Sequence, residues 1–287
     1  RGARRCVKAV RKKAEPEGGI RMSSHNTNLL EIRNLTTSFY LPDTGNTIDA
    51  VNDVSLCVKS GTITALIGES GSGKSVTCKS IFHLIDPPGE IRYGKILFQG
   101  KDLLKMTQRQ RICLYGNQIF MIFQDCADSL NPVYTVRHQM LELLRIHGKY
   151  RGKADAEQQC LHALQQAHLA DAERVFCAYP FELSGGMCQR VMIAMAFLVK
   201  PELLIADEPT TSLDLTIQAG ILEELKRMNE QGVSILLITH DIGIVAQMAD
   251  DLYVMEAGHI VEHGSVLNVF DAPKHPYTKQ LLKAART

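Results

Sequence analysis

The chain has 287 residues, of which 45% are apolar and 22% charged, a composition that excludes a disordered or collagen-like chain. Its 32 Lys and Arg residues nearly balance its 31 Asp and Glu residues, so the formal net charge is +1. This near-neutrality argues against a protein that binds nucleic acid mainly through bulk charge.

The cysteines and the apolar segments exclude further classes. None of the eight cysteines is separated from the next by two residues, so neither a zinc knuckle nor a Cys-x-x-Cys redox pair can be drawn. Scattered cysteines in a chain of this length favour buried thiols in a reducing cytosol over a disulfide framework. Apolar stretches such as 192–199 fall far short of the roughly 18 residues that a membrane span needs.

The net charge conceals two unlike segments. Residues 1–21 carry eight basic and two acidic side chains, or +6, whereas the remaining 266 residues carry 24 basic and 29 acidic side chains, or −5. Residues 1–28 lack apolar periodicity and predict a disordered basic lead-in. Met22 is a plausible true start, which makes 1–21 a segment that need not be native. The functional alternative is a basic tail that touches anionic lipid.

Hydrophobic periodicity predicts an α/β domain over 29–287, with a helical subdomain inserted at about 125–190. The apolar runs of the later strands are continuous, which is typical of parallel strands covered on both faces. The predicted elements in chain order are strands at 30–35 and 62–67, a helix at 74–85, helices at 136–146 and 154–167, a strand at 203–206, a helix at 217–228, a strand at 234–239, and a hairpin of 252–255 with 259–262.

A phosphate-binding pattern lies between the second strand and its helix. Residues 68–75, with the sequence GESGSGKS, fit G-x-x-x-x-G-K-[ST]. The glycines let backbone N–H groups point at phosphate oxygens, and the helix that follows adds its positive end. Lys74 is expected to reach the β- and γ-phosphates and Ser75 to ligate Mg²⁺. The residues expected to bind the nucleotide here are Gly68, Ser70, Gly71, Ser72, Gly73, Lys74 and Ser75.

Two carboxylates follow the apolar strand 203–206. Asp207 is expected to hold Mg²⁺, usually through water, and Glu208 to orient and activate the attacking water. Alternatively, Asp207 and Glu208 only begin a solvated loop. The phosphate-binding pattern upstream disfavours this alternative.

A second anion-binding turn lies at 183–187, with the sequence LSGGM, before a helix on which Val191, Ala194, Met195 and Leu198 follow helical spacing. Ser184, Gly185 and Gly186 are therefore expected to bind phosphate. One chain has little use for two γ-phosphate sites on one nucleotide, whereas two chains that face each other head to tail would use both.

The ordered set of motifs resembles the ATP-binding subunit of an ATP-binding-cassette (ABC) transporter over nearly everything from Leu29 to the end. In chain order the motifs are the Walker A loop (68–75), the Q-loop glutamine Gln124 in MIFQD, the signature (183–187), the Walker B pair Asp207 and Glu208, Asp214 in the D-loop SLD, and the switch histidine His240. The resemblance implies a P-loop NTPase (RecA-like) cassette with the helical subdomain and an N-terminal antiparallel β subdomain.

The resemblance also implies roles for residues. Gln124 senses and ligates Mg²⁺ and contacts the attacking water, while His240 contacts the γ-phosphate. Asp214 bridges two subunits. Phe39, with Tyr40 as its rival, lies where the family stacks an aromatic ring on adenine.

The implied assembly is an import complex with ATP and Mg²⁺ as cofactors. The chain would be a peripheral translocase ATPase on the cytoplasmic face of the cell inner membrane, paired head to tail with a second related ATPase beneath two integral membrane permease subunits. An extracytoplasmic substrate-binding protein would deliver the cargo, and nucleic acid would play no part.

A closer resemblance is to the oligopeptide, dipeptide and nickel importer ATPases, through ADEPTTSLD (206–214), SLNP (129–132) and HPYT (275–278). The compact length, the absence of cysteine after Cys188, and the stretches SVTC (75–78) and YPFE (179–182) resemble the nickel or metal-chelate branch more. The cargo, nickel, a metal chelate or peptides, stays open.

Two rival functions differ in class from a transporter ATPase. A soluble ABC ATPase of translation or DNA maintenance usually has two cassettes or a long coiled coil, and this sequence has neither. A binding-only partner with an inactive site is disfavoured by the intact Glu208 and His240.

Two residues depart from the family pattern. Cys126 stands where proline is expected after Gln-Asp, and Cys188 follows the signature where arginine is common. Neither is a residue with an assigned role in hydrolysis.

Overall fold

The computed structural model describes residues 28–284 except Thr44, Asp125 and Ser212. Most of the predicted lead-in therefore lies outside the described residues, and its last residue, Asn28, begins the first strand. The chain divides into two compact units: the discontinuous unit, 28–107 with 234–284, and the middle unit, Gln108–Val233. None of the helices in the described ranges is long and apolar enough to cross a membrane.

The predicted strands and helices are present, and the structure adds strands at Asn46–Lys59, Gly89–Phe98 and Ile119–Ile122 that the periodicity did not predict. In chain order the elements are β1 (Asn28–Leu41), β2 (Asn46–Lys59), β3 (Ile63–Ile67), α1 (Lys74–Ile81), β4 (Gly89–Phe98), β5 (Lys101–Asp102), a 3₁₀ turn (Leu103–Lys105), α2 (Gln108–Leu114), β6 (Ile119–Ile122), α3 (Cys126–Ser129), α4 (Val136–Ile146), α5 (Lys153–Gln166), α6 (Ala172–Cys177), a 3₁₀ turn (Pro180–Glu182), α7 (Gly185–Val199), β7 (Leu203–Asp207), α8 (Leu215–Glu230), β8 (Ser234–Ile238), α9 (Ile242–Met248), β9 (Asp251–Glu256), β10 (His259–Ser265), α10 (Val266–Asp271) and α11 (Pro276–Ala284).

An antiparallel sheet forms the N-terminal part of the discontinuous unit, with strand order β2-β1-β4-β5. The central strand β1 pairs with both neighbours, so that Ile32 lies opposite Leu56 on one side and Ile96 on the other. All three side chains are buried, and side chains that alternate between core and solvent are typical of such a sheet. The predicted antiparallel β subdomain is confirmed.

The rest of the discontinuous unit is built on parallel strands. β3 pairs in parallel with β8 and with β9, and β9 forms an antiparallel hairpin with β10. Every residue of β3 and of β8 is buried, as the continuous apolar runs predict. Leu66 is paired with Ile238, so the segments that follow β3 and β8 begin at the same edge.

The middle unit combines a parallel strand pair with helices. β6 pairs with β7 from Ile119 with Leu203 to Ile122 with Ala206. The helix α7 contacts α3, α4, α5 and β6. Leu198, expected in its buried stripe, is only half-buried, whereas most of the helix is buried on every side. A helix that is apolar all round is an inner helix of its unit.

The helix after the phosphate loop is shorter than predicted. It ends at Ile81 instead of 85, because His83 adopts a left-handed conformation (φ 59°) and the Leu84 N–H bonds back to the Lys79 carbonyl at 2.9 Å. This is a helix-terminating arrangement that usually carries glycine. Histidine at that position gave no stop signal in the sequence.

Candidate nucleotide and catalytic site

The phosphate loop, residues 68–73, connects β3 to α1, and close contacts with backbone require glycine at two of its positions. Gly73 is the N-cap of α1 with φ 106°, and a Cβ there would lie 2.4 Å from the Ala50 carbonyl oxygen. A Cβ on Gly68 would lie 2.1 Å from the Met255 carbonyl oxygen. Real Cβ atoms do not approach so closely, so these glycines allow the backbone to wrap tightly.

Lys74 lies inside this loop. Its ammonium Nζ donates to the carbonyl oxygens of Gly68 and Glu69, each at 2.8 Å, and lies 3.4 Å from the Ser72 hydroxyl. The residue is only 6% exposed. A buried cation surrounded by loop backbone, at the first turn of a helix, is suited to bind phosphate oxygens. Ser75 follows on α1 and is half-buried.

His240 belongs to the same edge as the phosphate loop. It follows β8, which lies beside β3, and the Thr239 N–H reaches the Leu66 carbonyl at 3.4 Å. The next residue, Asp241, caps α9 by accepting N–H groups of that helix. His240 itself is exposed. The discontinuous unit thus brings Lys74, Ser75 and His240 to one edge.

The two candidate adenine-stacking residues have different surroundings. Phe39 is half-buried, and its ring lies so close to Gly89 that a Cβ there would be 2.5 Å from Phe39 Cε1. Tyr40 is 47% exposed. The adenine contact of Phe39 stays a prediction.

The carboxylates lie in the middle unit. Asp207 ends β7 and is buried, and Glu208 follows it with φ 48°. A non-glycine residue in this left-handed region costs on the order of 1 kcal/mol and is typical of functional sites. The Glu208 Oε2 atom accepts a hydrogen bond from Thr211 Oγ1 at 2.9 Å and from Gln124 Nε2 at 3.3 Å. The structure therefore brings together Gln124 and Glu208, which are 84 residues apart.

Gln189 and Thr211 are contacts of Glu208 that the sequence motifs did not predict. Gln189, in the buried helix α7, donates from Nε2 to the Glu208 carbonyl oxygen at 3.1 Å. Gln189 therefore connects α7, the helix that follows the signature, to the backbone at Glu208. A buried amide in a largely apolar helix must find a hydrogen-bond partner, and this requirement is the signal by which the sequence indicated Gln189.

The signature residues form the start of α7. Ser184 is the N-cap, and its side chain accepts the Met187 N–H at 3.4 Å. Gly185 has open space where a Cβ would lie. Arg190 donates to the Gly186 carbonyl at 3.2 Å and to the His168 carbonyl at 2.8 Å, and burial lowers its pKa despite the opposing charge of Asp214.

Asp214 caps the helix α8. Its Oδ1 atom accepts the N–H groups of Thr216 and Ile217 at 3.1 and 3.0 Å. The D-loop residue Ser212 lies outside the described residues, as does Asp125 of the Q-loop.

The two unexpected cysteines are buried and bonded to backbone. The Cys126 thiol donates to the Phe123 carbonyl at 2.8 Å, and the Cys188 thiol contacts the Pro180 carbonyl at 3.6 Å. Burial raises the pKa of Cys188, so this residue is a neutral thiol at physiological pH. Both residues support the turns before α3 and α7.

Each unit carries side chains with oxygen donors of the kind that Mg²⁺ prefers. Ser75 offers a hydroxyl, Asp207 a carboxylate, and Gln124 an amide whose nitrogen already donates to Glu208. In the described part of the chain, no three His, Cys, Asp or Glu side chains gather into a metal-binding group. Few hard oxygen donors are typical of Mg²⁺ bound mainly by phosphates and water.

The sequence matches known protein families and individual relatives. A model of the ABC transporter family matches residues 51–211, and a shorter AAA-domain model matches residues 177–246. The chain is 49% identical over 266 residues to the peptidoglycan transport ATP-binding protein YejF of Agrobacterium fabrum, which covers 92% of this chain and 48% of YejF. This chain thus spans about half the length of that relative.

Two further relatives are covered more fully. The dipeptide transport ATP-binding protein DppD of Escherichia coli is 44% identical over 257 residues, covering 89% of this chain and 78% of DppD. The oligopeptide transport ATP-binding protein OppD of Bacillus subtilis is 45% identical over 263 residues, covering 91% of this chain and 73% of OppD.

Two solved structures show the same fold. A dimer of the ATP-binding cassette MJ0796 in a post-hydrolysis state, bound to ADP and phosphate, superimposes with a TM-score of 0.73 and 27% identity over 83% of this chain and 98% of that chain. The ATP-binding subunit of an ABC transporter superimposes with a TM-score of 0.70 and 26% identity, over 90% of this chain and 100% of that chain.

The glycine-rich loop around Lys74 and the carboxylates that end β7 define a P-loop ATPase with the fold of an ABC cassette. The family match and the relatives narrow this class further. The chain belongs to the ATP-binding subunits of ABC transporters, in the dipeptide and oligopeptide importer family.

Proposed function

We propose that this chain hydrolyses ATP to drive the uptake of peptides through partner permeases. The observation that carries hydrolysis is the carboxylate of Glu208, which directly follows Asp207 and is hydrogen-bonded by Gln124 and Thr211. A carboxylate held in place by two hydrogen bonds is a group suited to orient a water and accept its proton.

ATP is bound by the phosphate loop, with Lys74 on the β- and γ-phosphates and Phe39 against adenine. Ser75, Gln124 and Asp207, the last through water, would hold the magnesium ion, which would neutralise phosphate charge. The water oxygen attacks the γ-phosphorus, its proton passes to Glu208, and the bond to the ADP oxygen breaks. His240 contacts the γ-phosphate during this step. Backbone donors fixed before the reaction supply much of the transition-state stabilisation.

The active unit is a head-to-tail pair with a second, related ATPase. Ser184, Gly185 and Gly186 of one subunit contact the ATP held by the other, and Asp214 bridges the two subunits. The dimeric state of the MJ0796 cassette supports the pairing of two cassettes. ATP binding closes the pair, the Q-loop at Gln124 transmits closure to two integral membrane permeases, and hydrolysis reopens the pair.

Peptides are the cargo that the relatives support, because DppD and OppD are named for dipeptide and oligopeptide transport. The nickel or metal-chelate branch predicted from the sequence has no support among these relatives. Location at the cytoplasmic face of the inner membrane and delivery of cargo by an extracytoplasmic binding protein belong to the same proposal.

The test is reconstitution of the complex that co-purifies with the chain from membranes. In proteoliposomes, we expect dipeptides or oligopeptides to stimulate ATP hydrolysis, and nickel ions or chelated nickel to leave it unchanged. Lys74→Ala lowers the stimulated rate at least about 100-fold, since phosphate positioning is lost. Stimulation by nickel alone would replace peptides as the cargo, and purification without any integral membrane protein would favour a soluble ABC ATPase.

A further inference from the structure

The C-terminal helix α11 contacts the phosphate loop through a single phenol. Tyr277, the second residue of α11, is 8% exposed, and its hydroxyl oxygen accepts the Glu69 N–H at 2.8 Å. Lys74 donates to the carbonyl of the same Glu69 at 2.8 Å. Both backbone groups of Glu69 are therefore engaged, one by the helix α11 and one by the lysine that is to bind phosphate.

The start of α11 is itself held in place by Glu262 of β10. The Glu262 carboxylate accepts the N–H groups of Lys274 and His275 at 2.8 and 2.9 Å. Burial pushes the pKa of Glu262 upward, but hydrogen bonding to the carboxylate, which includes these two N–H groups, lowers the pKa overall. Glu262 is therefore a carboxylate at physiological pH, and α11 begins at a fixed position beside the loop.

The hairpin of β9 and β10 supports the same loop from a second point. The Gly258 N–H, in the turn of the hairpin, donates to the Ser72 carbonyl at 3.0 Å. These supports occupy the Glu69 N–H and the Ser72 carbonyl. They do not use the N–H groups of the first turn of α1, and N–H groups at the start of a helix are the donors that suit phosphate oxygens.

We propose that Tyr277 is a positioning residue for nucleotide binding, and that α11 thereby contributes to the affinity of the cassette for ATP and ADP. Without the phenol oxygen, the Glu69 N–H loses its hydrogen-bond partner. The backbone between Glu69 and Ser70 is then free to change its dihedral angles. The loop must then be ordered during binding, which weakens affinity. Tyr277 touches none of the reacting atoms, so the rate at saturating ATP depends on it little.

The protonation state of Tyr277 is constant over the useful pH range. Burial raises its pKa, and the hydrogen bond from the Glu69 backbone only partly opposes this. A neutral phenol oxygen accepts the N–H without bringing a negative charge next to the phosphates. Replacement by phenylalanine removes this oxygen and keeps the buried ring, so the Tyr277→Phe variant tests the hydrogen bond alone.

Tyr253 offers a matched control in the same unit. It is also 8% exposed, and its hydroxyl also accepts a backbone N–H, that of Cys57 at 3.1 Å. We expect Tyr277→Phe to raise the dissociation constants of ATP and ADP about threefold to tenfold, the effect of one hydrogen bond. KM rises to match, kcat stays within about twofold, and Tyr253→Phe leaves both dissociation constants near wild type. Equal weakening by both variants, or wild-type affinity of Tyr277→Phe, overturns the proposal.

Amide hydrogen exchange gives a readout that needs no turnover. In the full chain without nucleotide, we expect peptides covering 68–75 to exchange faster in Tyr277→Phe than in wild type, and at the wild-type rate in Tyr253→Phe. Unchanged exchange across the loop in Tyr277→Phe would show that the hydrogen bond does not order it, and would also overturn the proposal. Both outcomes are independent of the cargo and of the partner subunits.

Discussion

At the scale of single residues, the phosphate loop depends on a steric requirement that can be tested at Gly73. An alanine there must keep φ near 106° and place its Cβ 2.4 Å from the Ala50 carbonyl oxygen. The left-handed conformation alone costs about 1 kcal/mol, and the steric clash adds to it. We expect Gly73→Ala to weaken ATP binding at least about tenfold and to lower the free energy of unfolding by more than about 2 kcal/mol.

Gly61→Ala separates the two contributions. Gly61 also has a left-handed φ of 70°, in the same unit, but open space surrounds its Cβ position. This variant is expected to lose only about 1 kcal/mol of stability and to bind ATP like wild type. Denaturant unfolding and calorimetric titration with ATP check both variants. Equal stability losses at the two positions would contradict the steric reading of Gly73.

At the scale of elements, Asp214 combines a local and a proposed long-range role. It caps α8 through two N–H groups, and replacing an aspartate N-cap by alanine costs about 1 kcal/mol, whereas asparagine caps as well. We expect Asp214→Ala to lower stability and Asp214→Asn to preserve it. If the carboxylate bridges two subunits, Asp214→Asn still lowers ATPase activity of the assembled pair, by roughly tenfold for about 1.4 kcal/mol of lost interaction.

Asp171 supplies the comparison for the capping effect. It caps α6 in the same unit by accepting the Arg174 N–H at 3.2 Å, and it has no proposed role between subunits. Asp171→Ala is expected to lower the stability by about as much as Asp214→Ala without changing the ATPase rate of the folded pair. A wild-type ATPase rate in Asp214→Asn would restrict Asp214 to its capping role.

At the scale of the whole molecule, the sequence predicted local elements and motifs far better than the contacts between distant segments. The phosphate loop lies between β3 and α1 as expected, and the helix α4 has its predicted bounds, because periodicity and glycine patterns are local signals. The predicted end of α1 was wrong, because His83 terminates the helix in a left-handed conformation that glycine usually adopts.

The supports of the site could not be predicted for a physical reason. The Tyr277 hydroxyl reaches Glu69 across 208 positions, and Gln189 reaches the Glu208 carbonyl only because α7 packs in the interior of its unit. Such contacts are determined by tertiary packing, which the hydrophobic periodicity of a single sequence does not reveal. The residues that would touch ATP were recognisable by type and spacing, whereas the residues that hold them in place were not.

The proposed pairing of two cassettes can be separated from ATP binding with Gly185. Its Cβ position is open within this chain, and a glutamate in the first turn of α7 is favoured by the helix dipole. The Gly185→Glu variant should therefore fold and bind ATP.

The dimer is measured in a Glu208→Gln background, which retains ATP because turnover falls at least about 100-fold. We expect Glu208→Gln to sediment as a dimer with ATP, alone or with the related ATPase. We expect the added Gly185→Glu substitution to abolish that dimer, because in the proposed pair its carboxylate would face the ATP of the partner. Ala154→Glu places the same charge in the exposed first turn of α5 and should leave the dimer intact. A dimer that persists in the Gly185→Glu background would remove the signature from the interface.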